Sequence, residues 1–366
     1  MENTMNLSKG MIATISKMGY SKLTPIQEKT IPQLIEGRDL LGQAETGSGK
    51  TAAFSIPLLE NIDVQNKKVQ AVILCPTREL AMQTATVIRK LSGHLQGVKT
   101  TALYGGQPIS NQIRDLRNGA QIVCGTPGRT LDHIKRNTLK LKNVRTVILD
   151  EADEMLDMGF RPDLNAILKA MPEKKQSVLF SATMSKEILE ITKEYLDNPV
   201  SVKINPGLSV VHTVTQYYSL AREDKKEQAM QDFIESQNSK LTLVFCNTKR
   251  KVDKVVRILK ARGQASEALH GDVRQRTRDR IMNDFRKGNI KVLIATDVAA
   301  RGIDVSNIDV VVNYDLPKNP ESYVHRIGRT GRAGKSGTAF TMVNDKEKFM
   351  IKKFERMLKT KIELAK

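Results

Sequence analysis

Tryptophan is absent from this chain, and aromatic residues make up only 4% of it. Proteins that hold nucleic acid by stacking bases on a platform of rings need more aromatic surface than that. Cysteine is scarce too: Cys75, Cys124 and Cys246 each sit in or at the end of an apolar run. Their spacing matches no metal site or disulfide framework, so buried thiols in a reducing compartment are the expectation. No run of ~18 apolar residues is present, which excludes a hydrophobic membrane span. The polar opening Met1-Glu2-Asn3-Thr4 lacks the form of a secretory signal, and low-complexity tails are missing. A cytoplasmic protein is the expectation. Acidic residues are in short supply as well, at 40 against 59 Lys and Arg, a net charge of +19. The excess is uneven, roughly +6 over residues 1–213 and roughly +13 over 214–366. So one-signed a balance points to a polyanionic partner. With few aromatics, nucleic acid would be gripped through its backbone, with salt sensitivity and little regard for sequence.

What is present is a chain of 366 residues, 40% hydrophobic and 27% charged, long enough for two domains with full cores. The stretch Ala44-Glu45-Thr46-Gly47-Ser48-Gly49-Lys50-Thr51 follows an apolar run and leads into Ala52-Ala53-Phe54, so it reads strand, loop, helix. A Gly-rich loop at that junction turns backbone N–H groups inward and ends on a helix N-terminus, which together cradle phosphates. Lys50 supplies a positive charge for the outer phosphates and Thr51 a hydroxyl for Mg²⁺. Upstream, Thr24-Pro25-Ile26-Gln27 has the spacing of a capping box with proline at the first helical position. Local chemistry alone makes Gln27 a cap.

Beyond the loop, apolar runs near 69–75, 99–104, 120–125, 144–149 and 177–180 alternate with helical stretches. The alternation lapses around Asn205-Pro206-Gly207, where a linker is expected at 204–213. It resumes with runs at 241–246, 265–269, 290–295, 309–314 and 337–343. Continuous apolar strands separated by helices imply an α/β fold, a parallel sheet covered on both faces, in each of two domains, 1–203 and 214–366. Polar or Gly-rich clusters follow the strands, and ligands of such sheets bind outside the strands' carboxyl ends. Asp150 and Glu151 close one strand, positions suited to Mg²⁺ and to activation of an attacking water. His325-Arg326-Ile327-Gly328-Arg329-Thr330-Gly331-Arg332 repeats arginine every third residue. Spacing alone leaves a γ-phosphate finger and a patch on phosphodiester backbone equally open.

These motifs, in this order across both halves, are similar to those of the DEAD-box family of RNA helicases: Gly19 with Thr24–Gln27, 44–51, 76–80, Gly105-Gly106, 126–129, Asp150–Asp153, Ser181-Ala182-Thr183, 244–248, 275–278, 295–304 and 325–332. The resemblance covers essentially the whole length and includes Ala44 in place of the first loop glycine. It implies two tandem RecA-like domains forming an RNA-dependent ATPase that uses ATP and Mg²⁺ to unwind short duplexes or remodel RNA–protein complexes. It also implies roles. Gln27 would read adenine and Tyr20 stack on it. The loop Ala44, Glu45, Thr46, Gly47, Ser48, Gly49, Lys50 and Thr51 would hold phosphates, with Asp304 on the ribose. Thr51 and, through water, Asp150 would hold Mg²⁺. Glu151 would be the catalytic base, assisted by Lys50, and Arg329 and Arg332 would be fingers. Asp153, Ser181, Thr183, His325 and Arg326 would couple hydrolysis to RNA, the last two by inter-domain contacts. Arg78, Gly106, Thr126, Pro127, Arg129, Arg278 and Thr296 would meet RNA, single-stranded or in short duplex. Proteins of ribosome assembly or RNA decay are candidate partners, and no membrane is. One departure is that no Phe stands near Glu2, where the family usually has one upstream of Gly19.

Overall fold

The computed structural model describes residues 7–20, 22–44, 47–204, 213–300, 308–331 and 336–365. The chain divides into two compact units, Met1–Pro206 and Gly207–Lys366. Most of the expected linker (205–212) and the place of the missing Phe near Glu2 lie outside the described residues.

The first unit is built on a seven-stranded sheet. Its strands are β1 (Leu40–Gln43), β2 (Ala71–Leu74), β3 (Thr100–Leu103), β4 (Ile122–Gly125), β5 (Thr146–Leu149), β6 (Gln176–Ser181) and β7 (Val200–Lys203). They lie in the order β3-β4-β2-β5-β6-β1-β7, and every recorded pairing is parallel. Successive side chains of a strand point to opposite faces. Here both faces are dry: Ala71 and Ile73 enter one apolar cluster while Val72 and Leu74 enter another. That two-sided burial is why these strands read as unbroken apolar runs. The helices that cover them include α1 (Lys9–Lys17), α2 (Pro25–Ile35), α3 (Lys50–Glu60), α4 (Arg78–Leu91), α5 (Ile109–Arg117), α6 (Pro127–Lys135), α7 (Ala152–Asp157), α8 (Arg161–Lys169) and α9 (Lys186–Tyr195).

The second unit repeats the plan. Strands β8 (Val214–Leu220), β9 (Thr242–Phe245), β10 (Ser266–Leu269), β11 (Val292–Ala295), β12 (Val310–Asn313), β13 (Gly337–Val343) and β14 (Glu363–Leu364) run in the order β10-β11-β9-β12-β13-β8-β14, again parallel. Its helices among the described residues are α10 (Lys226–Ser236), α11 (Lys249–Ala261), α12 (Gln275–Arg286), α13 (Asp297–Ala300), α14 (Pro320–Ile327) and α15 (Lys348–Leu358). The apolar-run reading contains no strand at β7, β8 or β14. These carry mixed sequences (VSVK, VTQYYSL, EL) at or next to a sheet edge, where one side meets water and a continuous apolar run is not needed.

Parallel pairing puts the carboxyl ends of all strands in a sheet on one edge. In the first unit the segments after β1, β2, β4, β5 and β6 therefore share a rim, the expected place for a ligand.

Candidate active site

The loop after β1 is held at both ends. The Ala44 N–H donates to the Ser181 carbonyl at 3.1 Å, continuing the β1–β6 pairing. At the other end Gly49 caps α3 with φ 95°, and Gly47 has φ 85°. Both angles are left-handed, and glycine adopts them without a Cβ penalty. At Gly49 space excludes a side chain as well, since a Cβ would lie 2.5 Å from Nε2 of Gln27. Lys50 is the first residue of α3 and is buried; its Nζ donates to the Ala44 carbonyl at 2.9 Å. Among the described residues no carboxylate pairs with it. An ammonium whose hydrogen-bond partner is a neutral carbonyl, at a helix N-terminus and within the field of Asp150, leaves positive potential for an anion. Thr51 follows on the same turn, half-buried; Ser48 is described, and Glu45 and Thr46 are not.

Gln27 is both a cap and a contact to the phosphate loop. Its Oε1 accepts from the Thr24 N–H at 3.0 Å, as a cap, and its Nε2 donates to the Gly49 carbonyl at 3.1 Å. A carboxamide has two lone pairs on oxygen and two hydrogens on nitrogen. One donor and one acceptor therefore remain, tied to the phosphate loop. Tyr20, half-buried, follows Gly19 (φ 81°) where the chain leaves α1.

Across the rim, Asp150 follows β5 and is 2% exposed. Burial pushes its pKa up to about 7, against the opposing pull of Lys50 and with a further push from Glu151. Its Oδ1 is buried and accepts no hydrogen bond among the described residues. Such an acceptor is satisfied by the water shell of a divalent cation, so the residues present fit Mg²⁺. No group of three or more His, Cys, Asp or Glu capable of caging a metal exists among the described residues. Glu151 has φ 53° and ψ 53°, a left-handed backbone at a non-glycine residue. Such strain costs ~1 kcal/mol or more.

Asp153 joins this corner to the next strand. Its Oδ2 accepts from the N–H groups of Ala182 (3.1 Å) and Thr183 (2.9 Å) and from the Thr183 hydroxyl (3.1 Å). The Ser181 hydroxyl donates to the Thr183 carbonyl at 2.6 Å, and Gln43 Nε2 donates to the Ala182 carbonyl. The acidic segment, the Ser181–Thr183 segment and the start of the phosphate loop are thus one hydrogen-bonded frame.

A second cluster lies at the ends of β3 and β4. Gly106 has φ 86°, and a Cβ on Gly105 would lie 3.4 Å from Nη2 of Arg78. Thr126 is the N-cap position of α6 and Pro127 its first residue. Arg129 Nη1 donates to the Gln107 carbonyl and to Gln112 Oε1, both at 3.2 Å. Gln112 also donates to the Tyr104 carbonyl (2.9 Å) and lies 3.0 Å from His133 Nε2. Burial, then the Arg129 charge, holds the His133 pKa below its ordinary value. Gln112 and His133 organise this corner, and no motif pointed to them.

In the second unit Arg278 is buried, with Nη2 donating to the Ala299 carbonyl at 2.6 Å, and Thr296 precedes α13. Arg326 is 2% exposed and uses all five N–H groups inside its own unit. Asp297 accepts two of them (2.6 and 2.7 Å), Asn247 Oδ1 one (2.8 Å), and the Asp315 carbonyl and Asn313 Oδ1 the others (2.6 and 3.3 Å). These bonds brace the base of the arginine segment within its own unit. His325 is half-buried and Arg329 buried. Asp304 and Arg332 lie outside the described residues.

Residues 24–191 match the family model described as DEAD/DEAH box helicase, and residues 225–334 the helicase conserved C-terminal domain. The DEAD-box ATP-dependent RNA helicase CshA of Bacillus cereus is 45% identical over 98% of this chain and 68% of its own. That of Geobacillus kaustophilus is 46% identical over 99% of this chain and 77% of its own. Among solved structures, S. cerevisiae Dbp5 bound to RNA and ADP BeF3 is 32% identical, with a TM-score of 0.89 over 99% of this chain and 94% of its own. A DEAD box protein from the hyperthermophile Methanococcus jannaschii is 44% identical, with a TM-score of 0.57 over 100% and 99% of the two chains.

Proposed function

This chain belongs to the DEAD-box family of ATP-dependent RNA helicases, and on that premise we propose that it is an RNA-dependent ATPase that locally opens short RNA duplexes or remodels RNA–protein complexes. The observation that carries the site assignment is the buried Asp150, partly orphaned among the described residues, beside a buried Lys50 that no described carboxylate pairs, framed through Asp153 to Ser181–Thr183. ATP phosphates lie on the loop 44–51, with Lys50 on the outer ones. The remaining donor and acceptor of Gln27 suit the amino and ring nitrogens of adenine, and Tyr20 stacks near them. Asp304 takes the ribose. Thr51 and, through water, Asp150 hold Mg²⁺, which neutralises phosphate charge when bound. Glu151 accepts the proton of the attacking water, and Arg329 and Arg332 stabilise the transferring group.

RNA runs by its backbone along Arg78, Gly106, Thr126, Pro127 and Arg129 on one unit and Arg278 and Thr296 on the other. Domains 1–203 and 214–366, joined by a linker at 204–213, close when ATP is bound, and closure completes the track. By linkage, RNA then favours the ATP-holding closed form by the same free energy. A track shaped for one strand excludes duplex, at a cost of roughly 1.4 kcal/mol per base-pair step opened, the DNA mean. His325, Arg326 and the Asp153–Ser181–Thr183 frame carry the coupling. Three buried free thiols support a cytoplasmic setting.

The test is phosphate release with and without single-stranded RNA, using DNA of equal length as the comparison. RNA should raise the rate and DNA should not; equal rates in all three would remove the coupling. Glu151→Gln should lower turnover ~10²–10⁴-fold while holding RNA tightly with ATP. Arg329→Ala should lower it ~10³–10⁵-fold with ATP still bound.

A further inference from the structure

We propose that the outward face of α15 is a second RNA-backbone contact, outside the strand-end rim. The choice of occupant rests on the reading of the chain as an RNA-dependent ATPase. Ile351 and Phe354 turn inward and pack with Tyr323 and Ile327 of α14, the rings of Phe354 and Tyr323 being 5.0 Å apart. Phe349 turns outward at 66% exposure, the most exposed large apolar side chain among the described residues, with Met357 at 53%. Lys352, Lys353 and Arg356 are exposed on the same side. At about 100° per residue, Phe349 and these three cations occupy about a third of the helix circumference over ~10 Å of its length.

Two neighbouring carboxylates are committed elsewhere, and the exposed Asp345 stands before the helix begins. Glu347 Oε2 accepts from the Asn344 N–H at 3.0 Å, and Glu355 Oε1 from the Ile362 N–H at 2.9 Å. The ion pair recorded in the segment is Lys361–Glu363, at 3.6 Å, so Lys352, Lys353 and Arg356 remain unpaired among the described residues. A solubilising face has no use for an exposed Phe at its centre. A polyanion relieves the mutual repulsion of three adjacent cations, and a ring beside them suits an unpaired base. The unit that carries this helix also holds the larger share of the net positive charge, roughly +13 of +19.

The full chain and the variant Lys352→Ala/Lys353→Ala/Arg356→Ala should be titrated by anisotropy over a salt series. One single-stranded RNA should be short enough to fill the rim track alone and the other several times longer. For the long RNA, the slope of log affinity against log salt should fall by about 2, at ~0.7 for each phosphate no longer neutralised. Short-RNA affinity and short-RNA-stimulated ATP turnover should stay unchanged. Phe349→Ala should keep the slope and weaken long RNA at least ~5-fold, the low end of one base–ring stack. A long-RNA slope equal to wild type overturns the proposal. So does a poly-glutamate peptide that loses its hold on the variant while RNA binding is untouched, which would assign the face to an acidic protein. If short RNA fails to stimulate the unaltered chain, the functional reading falls instead, and the two failures are told apart.

Discussion

The two units share one sheet plan and differ in what stands at the phosphate corner. Numbering strands within each unit, both sheets run 3-4-2-5-6-1-7. Both second strands are followed directly by a buried cysteine and, two residues on, an N-capping threonine, Cys75 with Thr77 and Cys246 with Thr248. Both helices after strand 1 begin with a buried lysine, Lys50 and Lys226. The surroundings of those lysines diverge. Lys50 faces a backbone carbonyl across a glycine loop. Lys226 follows a charged turn and lies 3.1 Å from Glu223 and 3.9 Å from Asp315, and Lys251 bridges the same two carboxylates at 3.2 and 2.6 Å. Burial alone would raise the Glu223 pKa, but the two lysines hold it below its ordinary value. One corner keeps its positive charge for an incoming anion, whereas the other neutralises it with its own side chains. A frame therefore does not make a phosphate site; a lysine that no described carboxylate pairs and a loop with glycine at its two left-handed positions do.

Paired substitutions sharpen that contrast. Lys50→Ala should lower RNA-stimulated turnover by ~10²–10³-fold or more and leave the thermal midpoint nearly unchanged. Lys226→Ala should do the reverse. Turnover should stay within a few-fold, while stability falls by less than the ~3–5 kcal/mol of a wholly uncompensated buried charge, because Lys251 still faces Asp315. If Lys226→Ala removed ATP binding from a well-folded protein, the two corners would not differ as described.

A smaller effect separates the carboxylates after strand 5. The Asp150 pKa is raised to about 7 by burial, above the ordinary 3.8. Its stabilising contribution is present below pH ~4 and is lost as pH rises through about 7. Without Mg²⁺ and nucleotide, Asp150→Asn should therefore raise the melting midpoint at pH 8, by several degrees at ~2–4 °C per kcal/mol, and leave it unmoved near pH 4. Asp315→Asn, which deletes the charge facing Lys251, should lower the midpoint at pH 8. Melting curves of the two variants and the unaltered chain at the two pH values check both signs.

The smallest expected difference concerns the caps. Thr77 Oγ1 accepts from the Leu80 N–H and Thr248 Oγ1 from the Lys251 N–H, each at 3.3 Å. Thr77 is buried and Thr248 exposed. Thr77→Ala should cost ~1–2 kcal/mol and Thr248→Ala ~0.5–1 kcal/mol in denaturant unfolding. Equal costs would mean that burial adds nothing to the cap.

Much of this was legible from residue order. Apolar runs marked the central strands because both faces of each sheet are buried, and polar clusters after those runs marked the rim. The phosphate loop announced itself through glycines whose positive φ the structure requires at 47 and 49. Gln112 was not legible, being one polar residue on an amphipathic helix whose hub role depends on Tyr104, Arg129 and His133 converging on it. Nor were the partners of Arg326, since Asn247 lies 79 residues away in the chain. Edge strands escaped for a simpler reason: half-exposed strands do not need unbroken apolar sequence.

By itself the sequence determined two parallel α/β frames and the chemistry offered after each strand. These follow from local periodicity, backbone freedom and residue type, all of which act over a few positions. Only the tertiary structure decided which charges find partners: among the described residues Lys50 pairs with no carboxylate and Asp150 is buried and partly orphaned, whereas Lys226 and Arg326 are fully occupied. Compensation of a buried charge depends on groups brought in from distant strands, and no local pattern carries that information.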